Sequence, residues 1–407
     1  MTAIARPVAA PRATAWNGPV TSYYLLVGSA GLLLSIGLVM VLSSSTVDSL
    51  SATQGATPYS IFVNQARYAL IGLPVAWLAS RMPLRFYRAI AWPALGVAVM
   101  LQLLVFTPLG LDHGGNRNWI AIGGFTAQPS EVLKLALAVW LGTVLATKRA
   151  LLHQWLHVLV PGVVVAIGAI GLVLLGDDLG TALVIIALVA GALFVAGVPM
   201  RMFVVAGAVA AVAVVQLAQS SSNRVTRITA FFSPDCDTAS TCYQTQRGLY
   251  ALASGGWTGV GLGQGREKWS YLPEAHNDFI FAVIGEELGL LGTVLVILLF
   301  AVLAVAMIRV IRRHPDPMVQ VATAGIATWI LGQALVNIGV VIGVLPVIGL
   351  PLPLVSAGGS ALVTTLVALG VVVSFARSEP GAAEALTARP GAVRRSLAVL
   401  GRRRSHG

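Results

Sequence analysis

Long apolar runs separated by short polar turns dominate this chain, and their lengths suit a bilayer. Stretches of about 20 apolar residues, enough to cross the hydrocarbon as a helix, fall at 20–43, 61–80, 86–107, 129–147, 155–175, 180–198, 200–218, 277–310, 318–345 and 356–377. This pattern predicts an all-α polytopic integral membrane protein of about ten transmembrane helices, with both chain ends on one side. The largest polar interval, 219–276, separates the seventh and eighth predicted spans and is too long to be a mere connector. Residues 1–19, rich in Ala, Pro and Arg, and the basic stretch 378–407 carry no apolar period. Both are expected to be disordered tails flanking a membrane domain at 20–377. With Pro7, Pro11 and Pro19 and no compact apolar core near the start, no cleavable signal is expected.

Composition agrees, since 57% of the 407 residues are hydrophobic and only 10% charged, far from a soluble domain. Charge adds the orientation. Of the 26 Lys and Arg residues, 18 fall on the side of the two tails, 7 on the other side, and Lys134 within a span. The excess of cations predicts cytoplasmic termini and an outward-facing 219–276 loop. A net charge of +11 therefore reads as attraction to anionic membrane lipids rather than to nucleic acid, for which no aromatic-interleaved basic module is present. Cys236 and Cys242 share the long loop, so they are either a disulfide, which an outward compartment permits, or two free small residues.

Charged and irregular positions within apolar sequence are the candidates for chemistry, because an unpaired charge in hydrocarbon is costly. The stretch Tyr271–Gly292, YLPEAHNDFIFAVIGEELGLLG, concentrates them. Its helix is expected to begin near His276 or Asn277, which puts Asp278 in the first turn, with Glu286 and Glu287 roughly 12–14 Å deeper and in need of buried partners. Glu274 and His276 flank the same mouth. Lys134 lies one turn inside a span and is either paired with Glu131 at i−3 or exposed to a cavity. Asp178 suits a helix N-cap. Arg67 is either a snorkelling side chain or a phosphate contact, and Arg247 and Lys268 are either solvated charges or diphosphate ligands. Glycines 259, 261, 263 and 265 alternate in a pattern that matches no nucleotide-binding fingerprint and allows close backbone approach. The run Gln333–Val363 is broken by Pro346, Pro351 and Pro353, and irregular backbone at membrane depth is tolerated against protein or a cavity. Within it, Ser356–Ser360 reads as a small-residue helix contact.

LPEAHNDFIFAVIGEELG, QPSE followed by Lys134, DLGT at Asp178–Thr181, Asn337 and the SAGGS of Ser356–Ser360 together resemble the SEDS family of cell-wall polymerases, with wording closest to its cell-division member. The chain departs from the family pattern at Asn277 (usually Thr), Asp177 (usually Pro) and Ala357 (usually Tyr). The resemblance implies a SEDS-type fold and a peptidoglycan glycosyltransferase that polymerises lipid II at the division septum of the bacterial inner membrane. On that reading Asp278 is the general base on the acceptor 4-hydroxyl and undecaprenyl diphosphate is the leaving group. Lys134, Arg117, Arg67, Lys268 and Arg247 are then candidate phosphate ligands, and Glu274, His276, Asn337, Ser356 and Ser360 further substrate contacts. A divalent cation, Mg or Mn, is compatible with that chemistry, and the sequence names no metal ligands. The implied partners are a class B penicillin-binding transpeptidase and other division proteins. A lipid II flippase is the competing class, and the elongation paralogue the competing member.

Overall fold

In the computed structural model the structure describes residues 18–388, apart from 114–115, 123–124, 220–224, 226–228, 230, 233–241 and 270. Its helices are α1 (Thr21–Ser44), α2 (Thr46–Ala52), α3 (Ser60–Arg81), α4 (Leu84–Leu104), α5 (Pro129–Thr147), α6 (Trp155–Leu174), α7 (Leu179–Ala196) and α8 (Met200–Gln219). They continue with α9 (Tyr243–Gly255), α10 (Ile280–Arg313), α11 (Pro317–Val341), α12 (Ser360–Arg377) and α13 (Ala382–Ala388). Among the described residues eight helices are long and apolar enough to span a membrane. With α3 and α8 they fall on the ten expected spans. Apolar side chains such as Leu70, Val97, Ile167 and Val204 cover the outside of the bundle, as a lipid solvent requires.

The bundle packs α12 on α3, α11 on α5 and α7, α10 on α1, and α9 on α10. A methyl built on Gly381 would lie 3.5 Å from Pro19, so the two ends of the described chain meet at one end of the bundle. The 219–276 loop lies between α8 and α10, the seventh and eighth spans.

Two features go beyond the helical expectation. The segment between α4 and α5 is a three-stranded antiparallel sheet, β1 (Gly110–His113), β2 (Asn116–Ile122) and β3 (Phe125–Ala127), in that order. Gly110 stands opposite Ile120, and Ile120 opposite Ala127. Along β2, Asn118 and Ile120 are buried while Arg117 is exposed, the period-2 alternation of a one-sided strand. Gly114, Gly115, Gly123 and Gly124 of this segment lie outside the described residues.

The second is a break in α10. Gly289 has φ +67 and ψ −162, a conformation open only to glycine. There the helix exchanges backbone hydrogen bonds with the loop, from Val260 N to Glu286 O (2.9 Å), Gly261 N to Glu287 O (3.1 Å), Leu290 N to Gly256 O (2.9 Å) and Leu291 N to Trp257 O (3.2 Å). A methyl on Gly259 would meet Glu287 O at 2.1 Å. The alternating glycines thus let the loop lie against the chain's own broken helix.

At the termini end, His314 joins α10 to α11. It is buried, its Nδ1 accepts the Asp316 N–H (3.1 Å), and its Nε2 lies 3.2 Å from Ser378 Oγ. Asp316 caps α11 through Met318 N (3.0 Å) and pairs with Arg88 of α4. Burial holds the imidazole below its ordinary 6.5, against a smaller opposing pull from the Asp316 carboxylate. A depressed folded pKa means that His314 contributes full stability above pH 6.5 and loses it as pH falls through the folded value. The thermal midpoint of the purified protein is therefore expected to drop on acidification below about pH 6.5. His314→Asn should flatten that slope, and an unchanged slope would refute the assignment.

Candidate functional site

Asp278 stands just ahead of α10, whose first residue is Ile280 and whose N-cap is Phe279. The expected helix start at His276 or Asn277 is therefore corrected, and Asp278 sits in a turn rather than in the first helical turn. Glu274 explains the change. Its φ is +55, and its carbonyl accepts the N–H groups of Asn277 (3.0 Å) and Phe279 (3.2 Å). The carbonyls of His276, Asn277 and Asp278 are drawn to partners outside the turn, so they are not given to a helical ladder.

Those partners come from α11 and the irregular stretch between α11 and α12. Ala357 N donates to His276 O (3.0 Å), Ser356 Oγ to Asn277 O (2.7 Å), and Asn337 Nδ2 to Asp278 O (2.7 Å). Ser356 also accepts from Leu352 N (2.8 Å) and gives its carbonyl to Gln65 Nε2 of α3 (3.0 Å). Ser360 Oγ accepts from Gln128 N (3.0 Å). Ser356–Ser360 is therefore a hydrogen-bonded elbow leading into α12 rather than a helix contact. Asp278 is half-buried, with its Oδ1 enclosed, and a methyl added to Gly349 would lie 3.4 Å from its Oδ2. Gly349 has φ +80, so the carboxylate rests against a position whose backbone conformation favours glycine.

His276 Nδ1 lies 2.9 Å from Asp48 Oδ2, which ties the turn to α2. Glu274 is exposed, with its carboxylate 3.4 Å from Asn277 Nδ2. Asp48, Gln65 and Gly349 were not singled out in the sequence. Asp48 lies in a polar run without a motif, and Gln65 sits beside Asn64 and near Arg67 with nothing to distinguish it as a polar residue on that helix.

The five candidate cations divide by exposure. Arg67 on α3 and Arg117 on β2 are exposed, and Arg117 Nη2 donates to Thr107 O (3.0 Å). Arg247 on α9 is half-buried between the Tyr243 and Tyr271 rings (5.1 and 5.2 Å) and 3.6 Å from Glu267. Burial pushes the Glu267 carboxyl above its ordinary range, with Arg247 opposing. Lys134 is 1% exposed, 2.8 Å from Glu131 and 4.7 Å above the Trp329 ring, with Gln333 Oε1 at 3.4 Å. Lys268 is 4% exposed and 2.9 Å from Glu287. Both lysines are thus enclosed and neutralised from within, and Lys268 is neither of the solvated or ligand charges expected.

Glu287 also accepts from Ser43 Oγ (2.5 Å), and Glu286 accepts the N–H groups of Arg266 (2.6 Å) and Glu267 (3.3 Å). Asp178 caps α7 through Thr181 N (2.8 Å) and receives Gln128 Nε2 (3.1 Å). Cys242 is disulfide-bonded, and Cys236 lies outside the described residues. No group of three or more His, Cys, Asp or Glu side chains among the described residues is placed to hold a metal ion.

What the arrangement offers is a half-buried aspartate on a turn gripped by three separate elements, with exposed or half-buried arginines on others. Residues 23–380 match the FtsW/RodA/SpoVE family, described as cell cycle proteins. A probable peptidoglycan glycosyltransferase FtsW of Mycobacterium tuberculosis is 41% identical over 376 residues, covering 92% of this chain and 71% of its own. The stage V sporulation protein E of Bacillus subtilis is 35% identical, covering 87% and 96%. Among solved structures, Thermus thermophilus rod shape determining protein RodA superposes with a TM-score of 0.65 at 27% identity, covering 88% and 97%. A chain from "Structural coordination of polymerization and crosslinking by a peptidoglycan synthase complex" reaches 0.70 at 26% identity, covering 86% and 96%.

Proposed function

The chain belongs to the FtsW/RodA/SpoVE family of cell cycle proteins, and from that premise we propose that it is a multi-pass membrane peptidoglycan glycosyltransferase polymerising lipid II. Asp278 takes the proton from the acceptor sugar's 4-hydroxyl as that oxygen attacks the donor's anomeric carbon. The new glycosidic C–O bond forms as the anomeric bond to phosphate breaks. The bonding pair leaves with undecaprenyl diphosphate, and the anomeric centre inverts. Developing charge on the diphosphate calls for preorganised cations, and Arg67, Arg117 and Arg247 are the candidate cations that the fold leaves exposed or half-buried. Lys134 and Lys268 hold the scaffold instead.

The observation that carries this reading is the half-buried Asp278 on its gripped turn. The bundle end carrying it faces outward, both termini lie in the cytoplasm, and a class B penicillin-binding transpeptidase is the partner at the division septum. The relatives named FtsW, together with the Leu272–His276 wording, support the division role over elongation. Purified protein in detergent with freely accessible lipid II tests the proposal. Glycan strands are the expected product, and their absence under conditions where the protein moves lipid II across vesicle membranes would favour the flippase.

A further inference from the structure

Three consecutive carbonyls of the Asp278 turn are each taken by a donor from another part of the chain. Ala357 N, Ser356 Oγ and Asn337 Nδ2 hold His276 O, Asn277 O and Asp278 O at 3.0, 2.7 and 2.7 Å. Asn337 does more than its neighbours. Its Nδ2 also donates to Leu350 O at 2.7 Å, the residue after the Gly349 against which the Asp278 carboxylate rests. Two carbonyl acceptors at that distance fix which end of the amide faces them, because only the NH2 group donates. Asn337 is 2% exposed, so its NH2 is spent within the protein, on the two carbonyls, while its Oδ1 is buried with no hydrogen-bond partner among the described residues.

We infer that Asn337 is a positioning residue for the transfer reaction, setting the Asp278 carboxylate against the irregular α11–α12 segment through a single amide, with Ser356 as the second point of attachment. This rests on Asp278 being the base. Regular helix begins only at Ile280, so within the turn only the bonds from Asn277 N and Phe279 N to Glu274 O brace the backbone that bears the carboxylate, and they leave its side against α11 unfixed. The two gripped carbonyls fix that side. Asn337 and Ser356 hold both sides of the peptide that bears the base, and Gln65 of α3 anchors Ser356 in turn. A displacement of about 1 Å at a reacting group lowers turnover by on the order of 100-fold.

The test measures kcat and KM for lipid II polymerisation separately, together with the pH dependence of kcat, on purified full-length variants. Asn337→Ala removes the donor and is expected to lower kcat by about 10- to 100-fold with KM held within about twofold. Asn337→Asp keeps the shape, loses the donor and adds negative charge beside the base. It is expected to lower kcat similarly and to move the acidic limb of the pH profile upward. Ser356→Ala, which loses one attachment and keeps Asn337, is expected to show a smaller fall in kcat, and it carries the test with Asn337→Asp if the alanine variant folds poorly. A residue that merely held the fold would reduce the yield of active protein and leave the pH limb in place, and that result overturns the inference. So does wild-type kcat in both Asn337 variants, which leaves the base assignment standing. Wild-type synthesis by Asp278→Asn overturns the base and this inference together.

Discussion

Asp278→Asn is expected to reduce glycan synthesis from lipid II by about 100- to 10,000-fold, the range that general-base assistance contributes. The substitution is isosteric, and Asn337, Ser356 and Ala357 hold the turn by the main-chain carbonyls of Asp278, Asn277 and His276, which the substitution leaves in place. The fold should therefore be kept, with a thermal midpoint close to that of the parent protein. What is lost is the negative charge that accepts the hydroxyl proton. Glu274 and His276 make useful controls. Glu274 is exposed on the same turn and His276 is tied to Asp48 at 2.9 Å, so Glu274→Gln and His276→Asn should cost far less than the loss of the base. Strand formation is read on gels from labelled lipid II. Undiminished product from Asp278→Asn would sink the assignment, and equal losses in all three variants would move the proton acceptor elsewhere on the turn.

The ten spans were legible because hydrophobic length is set by the bilayer, a constraint that each segment meets on its own. Their ends were less so. At Asp278 the apolar run Phe279–Ile284 invited an earlier helix start, but the carbonyls that would have begun it are claimed by Asn337, Ser356 and Ala357, which lie 59 to 81 residues away in sequence, since 337 − 278 = 59 and 357 − 276 = 81. No local pattern carries that information. The same holds for the break at Gly289. Its place, two residues after the Glu286–Glu287 pair, carries no local mark of a break and is fixed by the glycines of the 256–261 segment lying against it. The sheet at 110–127 had no period-2 signature, because Arg117, Asn118, Trp119 and Ile120 read polar, polar, apolar, apolar, and the alternation of buried Asn118 and Ile120 with exposed Arg117 arises only in the fold.

The candidate site was legible as a set of residue types more than as an arrangement. Asp278, Asn337 and Ser356 converge as one unit, with Asn337 and Ser356 donating to the turn's carbonyls. Asp48 and Gln65 join the unit with nothing in the sequence to mark them. Lys134 and Glu131 were recognisable as a pair from i,i+3 spacing. Lys268 and Glu287 were not, because their partnership depends on the loop folding back over the broken α10, with Ser43 of α1 closing it from the other side.

That second pair yields a large stability effect. Lys268 and Glu287 are 4% and 0% exposed and 2.9 Å apart, so removing one partner strands the other charge in a poorly solvated place. Lys268→Met is expected to destabilise the protein by about 3–5 kcal/mol, the usual consequence of breaking a buried ion pair from one side. Glu287 keeps its bond from Ser43 Oγ (2.5 Å), which places the loss toward the lower end of that range. The double variant Lys268→Met with Glu287→Met has no orphaned charge and should recover most of the loss, because desolvating the pair already offsets much of its attraction. Denaturant unfolding of the single and double variants in the same detergent closes the cycle. Additive losses in the double variant would mean that the two side chains act independently and that the loop is held over α10 by the backbone bonds at Glu286–Leu291 alone.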